Sequence, residues 1–589
     1  MLMAIWNSVA ARRRSISDTF LDNGLAALKG HLEDEGHEVR VIDWATDDFY
    51  SSLSPRILGR PLRNIYSRMM RLKSPALKAV LGIVSMSLQD VLTWVERSRM
   101  DTKLRELAAF LAAEGINVVG VKVWYGEAFV NAARFAEYLR RFAPEVLIIA
   151  GGYHVTLYEG KILEQASFDL GVEREGERAL TAILGKAMAH KESWQKQAVL
   201  KDIIDSAERG EIANLIYRKN GGVCASPRLD SDAERSSVPR YEGGAGKVLI
   251  HVVTDSLGCG WGRCNFCVHR QFSSRFAMRS VDGIVAEIEA LLEAGVGVFR
   301  FAGSDTPPAF GARIARRLLE KDIHITFAMG SRAIKNAGAH HEELVRTYED
   351  LIKAGLCALF MGGETGNDFV NQVVMNKGLG RDDIVSTVKA LREAERNTGG
   401  KVFLSLALIY PTPLLGQVSL EEVREDNIRL LQETRPDSVM ITPPGPFPHT
   451  VWYKEAERFG FEVDDKAVLD AMRYEYVLYK PPQFWPKLGI KLEGKPFEKL
   501  LIECSDLRSF VQRELGIPTD ISDEHFLMFY AAGIRDARAI LEEKDQTMLD
   551  ILSCDYRRTH ELSQKVNDYS RKLSAANTTA RGATRPSYH

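Results

Sequence analysis

Short apolar runs alternate with helical patterns along most of this chain, and this alternation limits the possible folds more than any other feature. In the first series, residues 1–190, the strand-like runs lie at 2–6, 37–43, 118–124, 146–150 and 168–172. Strands separated by helices favour an α/β fold with a parallel, doubly wound, Rossmann-like sheet, which binds ligands beyond the carboxyl ends of its strands. Basic, helical sequence at about residues 54–100 interrupts the alternation and predicts a helical insertion.

A second series of strands and helices occupies residues 247–465. Its strand-like runs lie at 248–253, 298–301, 323–329, 358–361, 402–409 and 438–441. Six such units predict a partial (β/α)6 barrel with its chemistry at the carboxyl ends of the strands.

The remaining segments connect and extend these two series. We expect residues 191–246 to be a linker with a hairpin at Asn220-Gly221, which is a favoured two-residue turn. Residues 466–573 are mostly helical in pattern and predict a C-terminal cap that shapes the substrate site. The small, polar and basic residues 574–589 predict a disordered tail.

Charge and cysteine content exclude several classes of protein. A net charge of −2 over 589 residues gives no electrostatic basis for binding nucleic acid. Seven cysteines in so long a chain are not a disulfide framework, so we expect a reducing cytoplasm. The longest apolar segment, residues 79–88, is too short to span a bilayer. We interpret it as a buried helix and expect no membrane partner.

Three cysteines lie within nine residues, at Cys259, Cys264 and Cys267, directly after the apolar run at 247–253. Thiolates ligate iron–sulfur clusters, and a four-iron cluster normally takes four of them, so three leave one iron open to another ligand. The alternative is a structural zinc site closed by His251 or His269. The other four cysteines are scattered singly, and we therefore predict a cluster.

Several motifs in order resemble those of the cobalamin-dependent radical S-adenosylmethionine (SAM) enzymes, over roughly residues 1–465. The motifs are Gly151-Gly-Tyr-His-Val-Thr156, Glu173-Arg-Glu-Gly-Glu177, Met361-Gly-Gly-Glu-Thr-Gly366, Met375-Asn-Lys-Gly378 and Pro443-Pro-Gly-Pro-Phe-Pro-His-Thr450. The first two resemble loops of that family's cobalamin domain, and the others resemble signatures of its radical barrel.

The chain departs from the family pattern at two places. Four residues separate Cys259 from Cys264 where the usual motif has three, and we interpret this as the longer loop of a cobalamin-binding subset. Gly303-Ser304-Asp305 stands where the family has Gly-Gly-Glu. Backbone carbonyls and the Asp305 carboxylate remain able to accept hydrogen bonds from an ammonium group.

The resemblance implies that the three cysteines hold a [4Fe-4S] cluster whose open iron binds SAM. It further implies contacts to SAM from Phe266, Gly303, Ser304, Asp305, Arg332 and Glu364. Phe266 would pack on the adenine, with simple loop packing as the alternative. Arg332 would meet the methionine carboxylate, with a surface or salt-bridged arginine as the alternative, and Glu364 would reach the nucleoside or the ammonium.

The resemblance also implies cobalamin in the first domain. The chain has no Asp-x-His-x-x-Gly sequence, so we infer base-off cobalamin without a histidine lower ligand. The candidate binding residues are Trp124, Tyr125, Gly151, Gly152, His154, Thr156, Glu175 and Gly176. For His154, a hydrogen-bonded loop histidine that touches no ligand is the alternative.

The resemblance implies a cobalamin-dependent radical SAM C-methyltransferase. Its substrate would be an unactivated or sp² carbon of a natural-product or peptide intermediate, and its external one-electron reductant would be of flavodoxin or ferredoxin type. One alternative is a cobalamin-dependent radical rearrangement or cyclisation without methyl transfer. A more distant one is a cobalamin-binding protein without enzymatic activity, in which the cysteines hold structural zinc.

Overall fold

A computed structural model of the chain describes residues 2–72, 74–230, 232–234, 237–242, 246–474, 480 and 484–584. The first region is a seven-stranded sheet with helices on both faces. Its strands are β1 (Leu2–Asn7), β2 (Glu38–Asp43), β3 (Val118–Lys122), β4 (Leu147–Gly151), β5 (Leu170–Val172), β6 (Leu215–Lys219) and β7 (Gly222–Ala225). Its helices are α1 (Asn23–Asp34), α2 (Asp47–Leu53), α3 (Arg56–Arg71), α4 (Pro75–Ala113), α5 (Glu127–Phe142), α6 (Tyr153–Tyr158), α7 (Lys161–Gln165), α8 (Glu177–Ala189) and α9 (Lys196–Glu208).

The strand order of this sheet is β2-β1-β3-β4-β5-β6-β7, and β1 to β5 are parallel. The hairpin expected in a linker is instead the antiparallel edge β6–β7, where Leu170 of β5 pairs with Tyr217. Because β5 would otherwise be an open edge and Leu215 and Ile216 are apolar, the hairpin completes the sheet and buries both side chains. The first domain therefore extends past residue 190, to Ala225.

The helical insertion consists of α3 and α4, and α4 continues to Ala113. The prediction that residues 79–88 form a buried helix is wrong. Val80 and Ile83 are 58% and 62% exposed, whereas the inward positions Ser85 and Gln89 are polar and buried. The insertion is anchored by these polar side chains and by a small apolar cluster that includes Leu62, Tyr66 and Leu92, while the apolar residues of its other face point outward.

The second region is a six-stranded parallel sheet in the order β15-β14-β13-β12-β11-β8, which confirms the open, partial barrel. Its strands are β8 (Ile250–Val253), β11 (Val298–Phe301), β12 (Thr326–Arg332), β13 (Leu356–Glu364), β14 (Phe403–Ile409) and β15 (Ser438–Thr442). Its helices are α10 (Val281–Glu293), α11 (Pro308–Glu320), α12 (His341–Lys353), α13 (Arg381–Thr398) and α14 (Leu420–Thr434). Two short antiparallel strands, β9 (Ser256–Leu257) and β10 (Ala277–Met278), pair at the two ends of the loop that carries the three cysteines.

The C-terminal region is mixed rather than purely helical, because it contains a small antiparallel sheet. Its strands are β16 (Phe461–Val463), β17 (Ile490–Leu492) and β18 (Lys495–Pro496). Its helices are α15 (Val451–Lys454), α16 (Ala467–Arg473), α17 (Phe497–Phe510), α18 (Asp523–Ala531), α19 (Ala537–Ser553) and α20 (Arg557–Thr584).

Helices α18 and α20 close the amino end of the barrel, opposite the end where the cysteine loop lies. Asn567 and Ser570 of α20 hydrogen-bond to the backbone of Leu249, directly before β8. Phe526 of α18 stacks on Phe403 at 4.9 Å. The two helices bury the apolar residues at the beginnings of the strands. They therefore lie at the end of the barrel opposite the cysteine loop, and the expectation that this region caps the substrate site is wrong for α18 and α20.

The tail expected to be disordered from residue 574 is helical to Thr584, and residues 585–589 lie outside the described part. Ser574 donates a hydrogen bond to the carbonyl of Leu292, and Asn577 exchanges two with the backbone of His324. Composition alone suggested disorder, but these polar side chains satisfy backbone groups at the barrel floor and thereby order the helix.

Candidate active site

The cysteine loop runs from Gly258 to Phe276 at the carboxyl end of β8, where barrel chemistry is expected. Gly258 has a φ of +71°, and a Cβ there would lie 2.4 Å from the carbonyl oxygen of Arg275. Glycine is therefore required where the two ends of the loop meet. Within the loop, the backbone N–H of Cys267 donates to the carbonyl of Cys264 at 3.3 Å, which forms a tight turn between two of the cysteines.

The loop is docked on the turn Met375-Asn-Lys-Gly378. The indole Nε1 of Trp261 donates to the carbonyl of Asn376 at 2.7 Å, and the backbone N–H of Asn265 donates to the carbonyl of Met375 at 2.9 Å. Gly378 has a φ of +69°, and a Cβ there would lie 2.3 Å from Cη2 of Trp261. The sequence resemblance identified this turn but assigned it no role. In the structure the turn positions the cysteine loop.

The three thiols fit a cluster better than a closed zinc site. Burial raises the pKa of Cys264 to about 12 and also raises that of Cys267, so a bound cation is needed to hold them as thiolates. Among the described residues, no three His, Cys, Asp or Glu side chains are grouped to hold a single metal ion. Of the two histidines that zinc would need, His251 contacts Tyr241 and Glu287. The other, His269, lies 3.1 Å from the Ser304 hydroxyl.

The turn Gly303-Ser304-Asp305 after β11 lies beside the first cysteine. The thiol of Cys259 is 3.9 Å from Oδ2 of Asp305, and the other oxygen of Asp305 accepts from the backbone N–H of Arg332 at 3.3 Å. Burial raises the pKa of the Asp305 carboxyl, so a cationic ligand would stabilise its charged form. This arrangement suits the ammonium group for which the turn was predicted.

Asp255, which sequence reasoning missed, shapes this turn from the end of β8. Its Oδ1 accepts hydrogen bonds from the backbone of Gly303 at 2.8 Å and from the hydroxyl of Thr306 at 3.0 Å. Its Oδ2 is buried without a hydrogen-bond partner, and burial raises its pKa to about 6. A polar residue directly after a strand of such a barrel is the signal that could have identified it.

Glu364 and Arg332 lie together with a third residue, Lys377. Glu364, at the end of β13, forms a buried ion pair with Lys377. Arg332 donates to the carbonyl of Lys377 at 2.5 Å, and its guanidinium lies 5.0 Å from the ring of Trp261. The predicted need of Glu364 for a partner is thus met within the protein, and Lys377 is a second residue that sequence reasoning missed.

Phe266 contacts Trp452 with a ring separation of 5.6 Å and packs against the barrel core. The structure therefore gives this residue the loop packing that was the alternative to adenine contact. Its role towards SAM stays a prediction.

A cavity of about 480 Å³ opens at the carboxyl ends of β1, β3 and β4 and descends between α1 and α8. Its deeper wall is apolar, with Met3, Ile5, Leu25, Leu28 and Leu180. Gly152 at the mouth has a φ of +99°, and a Cβ there would lie 3.3 Å from Cγ of Lys122, so glycine permits the close approach of this turn to β3. A deep apolar slot with glycines at its mouth fits the nucleotide tail of cobalamin.

Five of the eight predicted cobalamin residues line this cavity: Gly151, Gly152, Thr156, Glu175 and Gly176. The described lining does not include Trp124, Tyr125 or His154. His154 is buried, with its ring 4.9 Å from Tyr125, and burial lowers its pKa to about 3. Trp124 and Tyr125 are partly exposed at the end of β3, because that strand ends in Lys122 and the chain turns outward there.

The cavity and the cysteine loop share a wall. Thr254 and Leu257 before the cysteines and Phe272 after them all line the cavity. Phe272 stacks on Tyr153 of α6 at 4.4 Å, and Nε of Arg174 donates to the carbonyl of Gln271 at 3.1 Å. The slot of the first domain and the cysteine loop of the second are therefore adjacent and share wall residues.

Comparisons with known proteins agree with this two-part architecture. Residues 71–184 match the B12-binding domain family, and residues 253–411 match the radical SAM superfamily. A protein of Archaeoglobus fulgidus named as a probable threonylcarbamoyladenosine tRNA methylthiotransferase is 27% identical over 306 residues, 51% of this chain and 67% of that protein.

Two solved structures share the fold over nearly the whole chain. The radical SAM methyltransferase TsrM from Kitasatospora setae, with cobalamin and a [4Fe-4S] cluster bound, is 15% identical with a TM-score of 0.58, covering 96% of this chain and 99% of that one. The cobalamin-dependent SAM radical enzyme OxsB, with aqua-cobalamin and SAM bound, is 13% identical with a TM-score of 0.51, covering 99% and 79%. The two matched domains imply a [4Fe-4S] cluster, SAM and cobalamin. The chain therefore combines a B12-binding domain with a radical SAM domain, the pair that the sequence resemblance to cobalamin-dependent radical SAM enzymes predicts.

Proposed function

We propose that this enzyme is a C-methyltransferase that acts on an unactivated or sp² carbon of a small-molecule or peptide intermediate of a natural product. The observation that carries the proposal is the wall shared by the cobalamin cavity and the cysteine loop, formed by Phe272 and Tyr153. When bound, the cluster and cobalamin supply radical formation from SAM and methyl transfer to carbon, respectively. Both capacities can serve one substrate only if they meet at one site, and the shared wall supports this arrangement.

The residues around the cysteines would bind and orient SAM. The Asp305 carboxylate beside Cys259 would accept hydrogen bonds from the ammonium group. Arg332, whose backbone N–H contacts Asp305 and whose guanidinium donates to the carbonyl of Lys377, would serve the methionine carboxylate. Asp255 holds the turn that presents Asp305. Trp261 and the turn at Asn376 keep the loop against the barrel.

The residues of the cavity support cobalamin without a histidine lower ligand. His154 lies among aromatic rings and outside the described lining. His31 does line the cavity, but its Nε2 lies 3.0 Å from the hydroxyl of Thr181. Electron paramagnetic resonance of the cobalt(II) form would show nitrogen coupling from a histidine ligand, and we expect none.

The substrate class is proposed from the structural neighbour TsrM, a methyltransferase whose structure was also solved with tryptophan substrate. Tryptophan is therefore the first compound to test, followed by peptides that contain it. Electron delivery is proposed to come from a flavodoxin-type or ferredoxin-type reductant.

The products formed from SAM test the proposal. The enzyme, reconstituted without oxygen with iron, sulfide and hydroxocobalamin, is incubated with methyl-deuterated SAM, reductant and tryptophan. Methyl transfer predicts S-adenosylhomocysteine and a product that carries the labelled methyl group, with 5′-deoxyadenosine as well if hydrogen is abstracted. Formation of 5′-deoxyadenosine without S-adenosylhomocysteine would instead assign a rearrangement or cyclisation.

A further inference from the structure

The α3–α4 hairpin packs inward through a small apolar cluster with Leu62, Tyr66 and Leu92 and through polar side chains, and it also exposes apolar side chains outward. On α4 the inward positions Ser85, Gln89 and Glu96 are polar and buried. The outward positions Leu77, Val80, Ile83, Val84, Val91 and Trp94 are apolar and 45–71% exposed. Most of these positions recur at helical spacing, so they form one stripe along the helix. A stripe of this kind on the surface indicates an interaction site.

The same segment is strongly basic. Between Ser54 and Leu88 the chain has seven basic residues and no acidic one, namely Arg56, Arg60, Arg63, Arg68, Arg71, Lys73 and Lys78. Arg63 is paired with Asp550 of α19, whereas Arg60 and Arg68 are exposed. The apolar stripe is therefore accompanied by positive charge, although the whole chain has a net charge of −2.

Polar contacts fix α4 to the protein along its inward side. Arg12 donates to Gln89 at 2.9 Å and forms an ion pair with Glu96 at 2.7 Å, and Gln89 donates to the hydroxyl of Tyr66 at 3.1 Å. Among the described residues, one helix, Ala76–Ala113, is long and apolar enough to cross a membrane, and only 17% of its most apolar window is buried. Since crossing would break the contacts of Gln89 and Glu96, this helix would lie on a bilayer rather than span it.

We propose that the α3–α4 hairpin docks the enzyme on an anionic lipid bilayer. The apolar stripe would enter the interface, and the exposed arginines would pair with anionic headgroups. A second copy of the chain would bring the same basic segment against this one, and like charges oppose that pairing. A bilayer needs no shape-matched groove and accepts a row of apolar side chains flanked by cations. This differs from the expectation, drawn from sequence, of no membrane partner.

Vesicle sedimentation of the reconstituted enzyme tests the proposal. We expect sedimentation with vesicles of phosphatidylcholine and phosphatidylglycerol in equal parts, little with phosphatidylcholine alone, and weakening as salt is raised. Arg60→Gln with Arg68→Gln should lower partitioning about 30-fold, because each basic group contributes about fivefold at an anionic surface. Val80→Gln with Ile83→Gln should lower it at least about tenfold through lost apolar burial.

Arg346→Gln and Met188→Gln are matched controls, because these side chains are exposed on α12 and α8, away from the hairpin. They should sediment like the wild type, and all variants should cleave SAM at the wild-type rate in solution. Equal sedimentation of the hairpin variants and the wild type would overturn the proposal. The proposal would also be overturned if the wild type did not bind vesicles but formed dimers, measured by light scattering, that the hairpin variants do not form. Salt-sensitive binding to an acidic flavodoxin-type protein without vesicle binding would assign the hairpin to a protein partner instead.

Discussion

Gly378→Ala should uncouple the cysteine loop from the barrel. An alanine at a φ of +69° costs about 1 kcal/mol in backbone strain. Its Cβ would also lie 2.3 Å from Cη2 of Trp261, so the indole must move. That movement removes the hydrogen bond from Trp261 to Asn376, and leaving such a buried group unpaired costs about 1–3 kcal/mol. It also removes the cation–π contact between Arg332 and the indole, which contributes about 0.5–1 kcal/mol.

The specific loss is therefore about 1.5–4 kcal/mol on loop docking, beyond backbone strain. We expect Gly378→Ala to form 5′-deoxyadenosine at least about tenfold more slowly than the wild type, with less iron bound per chain. Gly399→Ala is the matched control, because Gly399 has a φ of +71° with nothing within 4 Å of its Cβ. It carries the backbone strain without the collision.

Trp261→Phe in the Gly378→Ala background should recover part of the rate, since the smaller ring lacks the atoms that the Cβ meets. The reasoning is refuted if Gly378→Ala and Gly399→Ala have the same iron content and the same rate. That result would show that loop docking on this turn is not needed for SAM cleavage.

Three further predictions follow from single contacts. Gly152→Ala should weaken hydroxocobalamin binding at least about tenfold in an absorbance titration, because its Cβ would press on Lys122 and shift two residues that line the cavity mouth. Gly36→Ala, with a φ of +82° and nothing within 4 Å of its Cβ, should not weaken binding. Lys377→Met should lower the free energy of unfolding, measured in urea, by about 3–5 kcal/mol, because it leaves Glu364 buried without its partner. Adding Glu364→Gln to this variant should recover part of the loss, and additive effects of the two substitutions would contradict a buried ion pair. Because burial raises the pKa of Asp255 to about 6, from an ordinary value of 3.8, the folded state holds its proton more tightly. The free energy of unfolding of the apoprotein should therefore fall by up to about 3 kcal/mol relative to that of Asp255→Asn as the pH rises from 4 to 7. Parallel curves of unfolding free energy against pH for the two proteins would contradict this prediction.

Much of the architecture is predictable from local patterns. Each parallel strand is a short apolar run between helices, so all six barrel strands and the first five strands of the other sheet were identified within a few residues. The edge hairpin β6–β7 was placed in a linker, because its pairing with β5 is a contact between distant segments. The apolar stripe of α4 was predicted to be buried but is exposed, because apolar content alone does not show which face of a helix packs against the rest of the protein.

The site was predictable where a motif carries its own chemistry. The cysteines and the turn at Asp305 lie together, as spacing and resemblance predicted. Asp255 was missed because its partner Gly303 follows a different strand of the barrel. Lys377 lies in a motif that the sequence identified, but its pairing with Glu364 depends on the chain returning to the end of β13. Of the residues predicted to bind cobalamin, the three glycines line the cavity, since a glycine after a strand marks a close approach, and their contact with cobalamin stays a prediction. His154 turned inward among aromatic rings, an orientation that sequence does not encode locally.

The central claim is that one continuous site holds both an iron–sulfur cluster and cobalamin. Its most direct test is the iron, sulfide and cobalt content of the wild-type chain after reconstitution without oxygen in the presence of hydroxocobalamin. We predict about four irons, about four sulfides and about one cobalt per chain, with iron lost in Cys259→Ala. Zinc in place of iron, or iron without cobalt, would contradict the claim.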